Sequence, residues 1–302
     1  MTDLDEIGPL EQIASLEPSP KPFPGFLQAL GLSALYVVVL AFLALPVVII
    51  GVAFEKEGLY LHPIVQIVAS LAAALVVVLM AKESTGTNLK QLFKAVPIKP
   101  FVLRWTAALT LSNLILGILF AFWMQRAFPD ILPKPDYGFS QSRWIALILI
   151  VIIAPLCEEA LFRGVLLKGF VGRYGVAPGV ALSALFFATA HGSLARIPFT
   201  FCLGCILAWL YLRTGTLWVG IGAHAFNNLI AGIAILTSAK PAATPIVPPF
   251  HWAEILWAIV AVVLAFTAWI NLRAIFDQST GDSSLEPLHS PSAEPTALPP
   301  TQ

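Results

Sequence analysis

Along this chain apolar residues come in long unbroken runs, with polar residues gathered between them. A helix that crosses a bilayer takes about 20 residues. Runs of that order lie at about 26–54, 60–81, 101–124, 144–167, 177–194, 197–213, 216–237 and 254–276. They predict an all-α membrane protein of about eight transmembrane helices. The two ends break the pattern. Residues 1–25 are acidic and proline-bearing, and residues 277–302 are rich in Ser, Pro and Thr. They are read as an N-terminal segment and a disordered tail flanking a membrane domain at 26–276. The start lacks the basic stretch of a cleavable signal peptide, so the first span is expected to be kept as the insertion signal.

Composition strengthens this picture. Of 302 residues, 58% are hydrophobic and 11% charged, with a mean hydropathy of +0.85. A soluble protein is about a quarter charged. Formal net charge is zero, which suggests no nucleic-acid or polyanion partner. The basic residues are unevenly spread. One face would carry Lys82, Lys90, Lys94, Lys99, Lys168, Arg173, Arg213 and Arg273; the other would carry Lys56, Arg126, Lys134, Arg143, Arg196 and Lys240. The positive-inside rule then puts both termini in the cytoplasm. Trp144, Trp218 and Trp252 fall near span ends, as interfacial anchors do. Cys157, Cys202 and Cys205 lie inside apolar runs and read as small hydrophobes.

The chemistry lies in the polar residues that interrupt the runs. Glu158 and Glu159 fall well inside the fourth span, where an ionised group costs roughly 2.5–3.5 kcal/mol on insertion scales. Glu159 and Arg163 are four apart and share a helix face, so they can pair. Glu158 points about 100° away, which leaves its carboxylate available. Pro155 removes a backbone donor and frees the Val151 carbonyl, so a kink or opening is expected there. The fifth span ends in "FATAH", with His191 four after Phe187. The seventh holds "GIGAHAFNN", with His224 and Asn228 four apart and Asn227 turned away. Gly220 and Gly222 are expected to let a neighbouring helix approach. Glu159 with Arg163 can also be read as a buried ion pair that locks packing, His191 as an interfacial residue and Asn228 as inter-helix glue. Three such helices together point instead to acid–base chemistry in a polar cavity among helices 4, 5 and 7. His62, His251 and His289 begin a span, sit in a loop and lie in the tail, and have no assigned role. Ser112 and Asn113 are read as packing.

"EEALFR", "FATAH" and "HAFNN" resemble the EExxxR, FxxxH and HxxxN motifs of the CPBP (Abi) family, which includes the type II CAAX prenyl endopeptidases. Their order and spacing agree with the family, over a motif core at about 140–235. The resemblance implies an intramembrane endopeptidase acting on a membrane-associated substrate, a prenylated CAAX-type peptide being one case. Glu158 and His191 would hold and activate a water, with Glu159 and Arg163 beside them. His224 and Asn228 would stabilise the oxyanion. No metal is favoured. If zinc takes part, its ligands would be Glu158, His191 and His224. Family distribution implies a bacterial inner-membrane protein. A non-catalytic bacteriocin-immunity or scaffold role is the alternative the family offers. A transporter with a proton relay would also explain intramembrane Glu and His, but would predict inverted repeats, and none is evident. In a simple layout His191 lies nearer the outer end of its span than Glu158 does to the outer end of its own.

Overall fold

A computed structural model describes residues 22–53, 63–85, 89–128, 143–191, 196–237 and 250–281. Among these residues the chain is helical and holds no strand. Eight long helices follow one another: α1 Phe26–Ala53, α2 Pro63–Thr85, α3 Pro100–Ala127, α4 over 143–174, α5 Val176–Ala190, α6 Ile197–Thr214, α7 Leu217–Thr237 and α8 Ala253–Gly281. A single turn, Leu89–Leu92, lies between α2 and α3. By length and apolarity α1, α3, α4, α6 and α8 can each cross a membrane. The chain is therefore an all-α integral membrane protein.

α4 is the central helix. Within its apolar window 44% of residues are buried inside the protein, against 11–28% for the other four spans. It is not one regular helix. Leu149–Ile153 and Phe162–Leu167 are wound as π turns on either side of Ala154–Leu161, the segment that carries both glutamates. The lower π turn is wholly buried, with Phe162, Val165 and Leu166 in the main core beside Phe187 and Leu207. The opening expected near Pro155 is thus present, as the upper π turn. Its outside partner is Asn228 of α7, whose Nδ2 donates to the Ile150 carbonyl at 2.9 Å.

The fifth span, expected at 177–194, is a short helix. α5 has 15 residues and ends at Ala190. That is about 22 Å of helix, short of a hydrocarbon core of about 30 Å. Gly175, at φ 85°, makes the turn from α4 into α5, a backbone conformation that suits glycine. Glu158 lies sixteen residues before Tyr174 at one side of that turn, and His191 sixteen after Gly175 at the other. In an antiparallel hairpin the two side chains therefore stand level. His191 directly follows the end of this short helix, level with Glu158.

One end of the bundle gathers several segments. Pro24 packs so closely on Gly169 that a Cβ there would fall 2.2 Å from the proline ring. The amide of Phe26 donates to the Tyr174 hydroxyl at 3.0 Å. Trp218 Nε1 donates to the Phe93 carbonyl, and the Thr216 hydroxyl donates to the Lys94 carbonyl, both at 2.9 Å. Residues 22–25, assigned to the terminal segment by sequence, are thus seated on α4. Residues 277–281, assigned to the tail, continue α8. At the other end Arg126 closes α3 onto Glu254 of α8 with two hydrogen bonds, at 2.6 and 2.8 Å.

Candidate active site

Glu159 and Arg163 are both buried, and the arginine Nη1 donates to Glu159 Oε1 at 2.8 Å. The helical spacing of four residues sets this pair, as expected. What surrounds it comes from other helices. Arg163 Nη2 donates to the Gly204 carbonyl of α6 at 3.2 Å. The guanidinium lies over the Phe187 ring of α5, 4.4 Å from its centre, where the ring face attracts a cation. His224 of α7 brings Nδ1 to 3.2 Å from the same Glu159 Oε1. One carboxylate oxygen thus joins α4 internally and ties it to α7. Glu159 Oε2 is buried without a hydrogen-bond partner. A Cβ at Gly220 would stand 3.0 Å from it, so this glycine leaves the room in which the carboxylate sits.

Glu158 turns away from that pair and faces both histidines. Its Oε2 is 4.0 Å from His191 Nε2 and 3.9 Å from His224 Nε2. That oxygen is buried without a hydrogen-bond partner, although the side chain as a whole is 26% exposed. The Nδ1 of His191 lies 2.8 Å from the Phe187 carbonyl. A carbonyl only accepts, so that nitrogen carries the hydrogen. Both imidazoles thus use Nδ1 for support and turn Nε2 toward Glu158. Phe187 sits among them, its ring centre 4.8 Å from that of His191 and 5.4 Å from that of His224. Glu158 and His191 also line a cavity of about 660 Å³ between α1, α4 and α5, whose walls are mainly apolar.

All six residues singled out by sequence, Glu158, Glu159, Arg163, His191, His224 and Asn228, come from α4, the end of α5, and α7. The first five form one cluster. Asn228 lies a turn further along α7, with one amide hydrogen given to Ile150 and Asn227 donating to its Oδ1 at 3.2 Å. Gly220 makes the close approach expected of it, but Gly222 is exposed with nothing within 4 Å of a Cβ, so the paired-glycine expectation fails there. Ser112 and Asn113 bond helix carbonyls, consistent with packing. His251 belongs to the turn before α8, while His62 and His289 fall outside the described residues. The sequence pattern missed the Gly204 carbonyl, the Phe187 ring as a shared support, and Ser183 of α5, whose hydroxyl donates to the Phe162 carbonyl at 3.0 Å in the lower π turn. Only Phe187 had a signal, in "FATAH".

Two imidazoles and a carboxylate are also a set that zinc accepts. Zinc bonds of about 2.0–2.2 Å in a tetrahedron would put neighbouring ligand atoms about 3.4 Å apart, closer than the 3.9 and 4.0 Å seen here. Two hydrogen bonds of about 2.8 Å span such a gap at an angle of about 90°.

Residues 140–230 match the family model described as "Type II CAAX prenyl endopeptidase Rce1-like". The chain is 29% identical over 98 residues to "Putative membrane peptidase YdiL" of Bacillus subtilis strain 168, covering 32% of this chain and 40% of that protein. It is 34% identical over 85 residues to an "Uncharacterized 24.3 kDa protein" of Escherichia coli, covering 26% of this chain and 39% of that one. These matches span about two-fifths of the length of either relative. No solved structure matches the chain. The matched segment holds all six residues named above. The chain is thus an integral membrane protein whose motif core, over residues 140–230, is similar to the Rce1-like type II CAAX prenyl endopeptidases.

Proposed function

We propose that this protein is an intramembrane endopeptidase that hydrolyses a peptide bond of a membrane-associated substrate with a glutamate-activated water. The observation that carries this reading is the placement of Glu158 Oε2, buried and without a hydrogen-bond partner, 4.0 Å and 3.9 Å from two imidazole nitrogens at the edge of an apolar cavity. A water held between Glu158 and His191 would lose a proton to the carboxylate as its oxygen attacks the peptide carbonyl. That proton then passes to the leaving nitrogen as the carbon–nitrogen bond breaks, giving an acid and an amine. His224, with its Nδ1–H held by Glu159, can present a cationic Nε2–H to the developing oxyanion. Asn228 has a second amide hydrogen to offer there. Glu159, itself held by Arg163, keeps His224 in place. A CAAX-type prenylated substrate is one member of the class that the apolar cavity fits, and other membrane peptides are equally served by it. The cytoplasmic position of both termini in an inner membrane follows from the basic bias of one face.

The test is cleavage of quenched fluorescent membrane peptides by the purified chain in proteoliposomes. Glu158→Gln keeps the shape of the side chain but takes no proton, so kcat should fall by roughly 10²–10⁴-fold with expression unchanged. Full retention of the cellular phenotype by that variant would replace the protease reading with a binding one, such as immunity. Loss of turnover on chelation, restored by zinc, would recast Glu158, His191 and His224 as metal ligands.

A further inference from the structure

The cavity faced by Glu158 and His191 has a third wall, α1, which the chemistry above does not use. Phe26, Leu30, Val37 and Leu40 from α1 and Leu185 and Phe186 from α5 make the cavity apolar. Two hydroxyl side chains of α1 also line it, Ser33 and Tyr36. They are three apart and so share one helix face. A serine inside a helix commonly returns its hydroxyl to the carbonyl four residues back, as Ser112 does in α3 at 2.8 Å. Ser33 does not, and its Oγ is buried without a hydrogen-bond partner. Tyr36 lines the same cavity as Glu158. By contrast Thr189, the hydroxyl on the facing wall, is satisfied by the Leu185 and Phe186 carbonyls at 2.9 and 3.1 Å.

Buried polar atoms are nearly always paired, and each exception calls for a cause. Here two such atoms, Ser33 Oγ and Glu158 Oε2, belong to residues that line one cavity. A bilayer supplies few groups to satisfy them. A peptide in that cavity would. Its main chain offers both a donor and an acceptor per residue, and a hydroxyl can serve either. We propose that Ser33, with Tyr36 beside it, binds the main chain of the substrate next to the scissile bond, so that α1 forms part of the substrate site. This rests on the peptidase reading above and adds a binding subsite to it. Ser33 is a binding residue, and the proton transfers remain with Glu158.

Ser33→Ala, Ser33→Thr and Tyr36→Phe can be compared in the full chain in nanodiscs, by two measurements. The first is affinity for a transmembrane peptide, read on the Glu158→Gln background so that no turnover is needed. Ser33→Ala should weaken it about three- to tenfold, the range of a net neutral hydrogen bond, and Ser33→Thr should recover most of the loss. In the otherwise native chain the loss should fall on KM rather than kcat. The second is thermal stability without peptide. Ser33→Ala should leave it unchanged or raise it, because an unmatched hydroxyl has been removed. A lowered Tm with unchanged peptide affinity would make Ser33 structural and overturn the proposal. So would loss of co-purifying phospholipid with peptide affinity intact, or no measurable peptide binding at all. Failure of the native chain to cleave any peptide, with Ser33→Ala still weakening binding, would sink the peptidase reading and leave this subsite standing.

Discussion

Arg163 shows how much one side chain can be asked to hold. Its guanidinium joins Glu159, the Gly204 carbonyl and the Phe187 ring, three different helices, and is wholly buried. Removing it strands the Glu159 carboxylate in apolar surroundings. Breaking a buried pair on one side costs about 3–5 kcal/mol, a large part of an ordinary stability margin. Arg163→Ala should therefore lose folded yield, measured by size exclusion and thermal unfolding, and Glu159→Gln in the same chain should restore part of it. Arg163→Lys should not substitute, since an ammonium lacks the planar fork and the stacking face. His224 is the other residue that leans on Glu159. His224→Ala should lower kcat by roughly 10²–10³-fold, as loss of an oxyanion donor does, while the folded protein persists. Equal kcat for His224→Ala and the native chain would remove the oxyanion role.

At the scale of elements, the π turns of α4 decide where the glutamates point. Each is pinned from outside, the upper by Asn228 at Ile150 and the lower by Ser183 at Phe162. An orphaned buried carbonyl costs about 1–3 kcal/mol. Asn228→Ala should thus lower the unfolding free energy by that order and reduce kcat together, whereas Ser183→Ala should affect stability first. Urea unfolding beside turnover separates the two. The helices themselves were legible because the bilayer demands long apolar runs, and all eight expected spans fall on helices, with the largest differences seven residues at the end of α4 and five at the end of α8. The end of α5 is informative. Apolarity in "ALFFATAH" says that a helix is buried, not how deep its end lies. The level placement of Glu158 and His191 depends on a turn at Gly175 that hydropathy does not encode. Likewise the Glu159–Arg163 pair was readable from spacing along one helix. The Gly204 carbonyl, the Ser183 bond and the α1 hydroxyls depend on which helices become neighbours, and the sequence of one helix does not carry that.

For the molecule as a whole, the segments gathered at one end match the grouping of basic loops expected from sequence. Residues 22–25, 93–94, 169–174 and 213–218 lie together there, with Arg126 and Glu254 at the other end. The structure supports the grouping, and the positive-inside rule supplies the side. A single cysteine at Lys99, an exposed position before α3, should then react with an impermeant thiol reagent only from the cytoplasmic face. Labelling from outside intact cells would invert the assignment. The Arg126–Glu254 clamp is partly exposed. Solvent screens such a surface pair, and helix-to-helix packing carries most of the hold between α3 and α8.

The π turns have a further consequence for how such a chain can lose or gain residues. A π turn closes on the fifth residue back instead of the fourth, so each holds one residue more than a regular helix would. Deleting one residue from Leu149–Ile153 would restore an ordinary helix and rotate everything beyond it by about 100°, carrying Glu158 off the two imidazoles. Deleting one from Phe162–Leu167 would turn Gly169 from under Pro24, unseating the start of α1, and would slide α5 and His191 relative to Glu158. Length variation in α4 is therefore not neutral at either turn: the first deletion turns Glu158 from both imidazoles, and the second shifts His191 against Glu158 and frees a wall of the cavity.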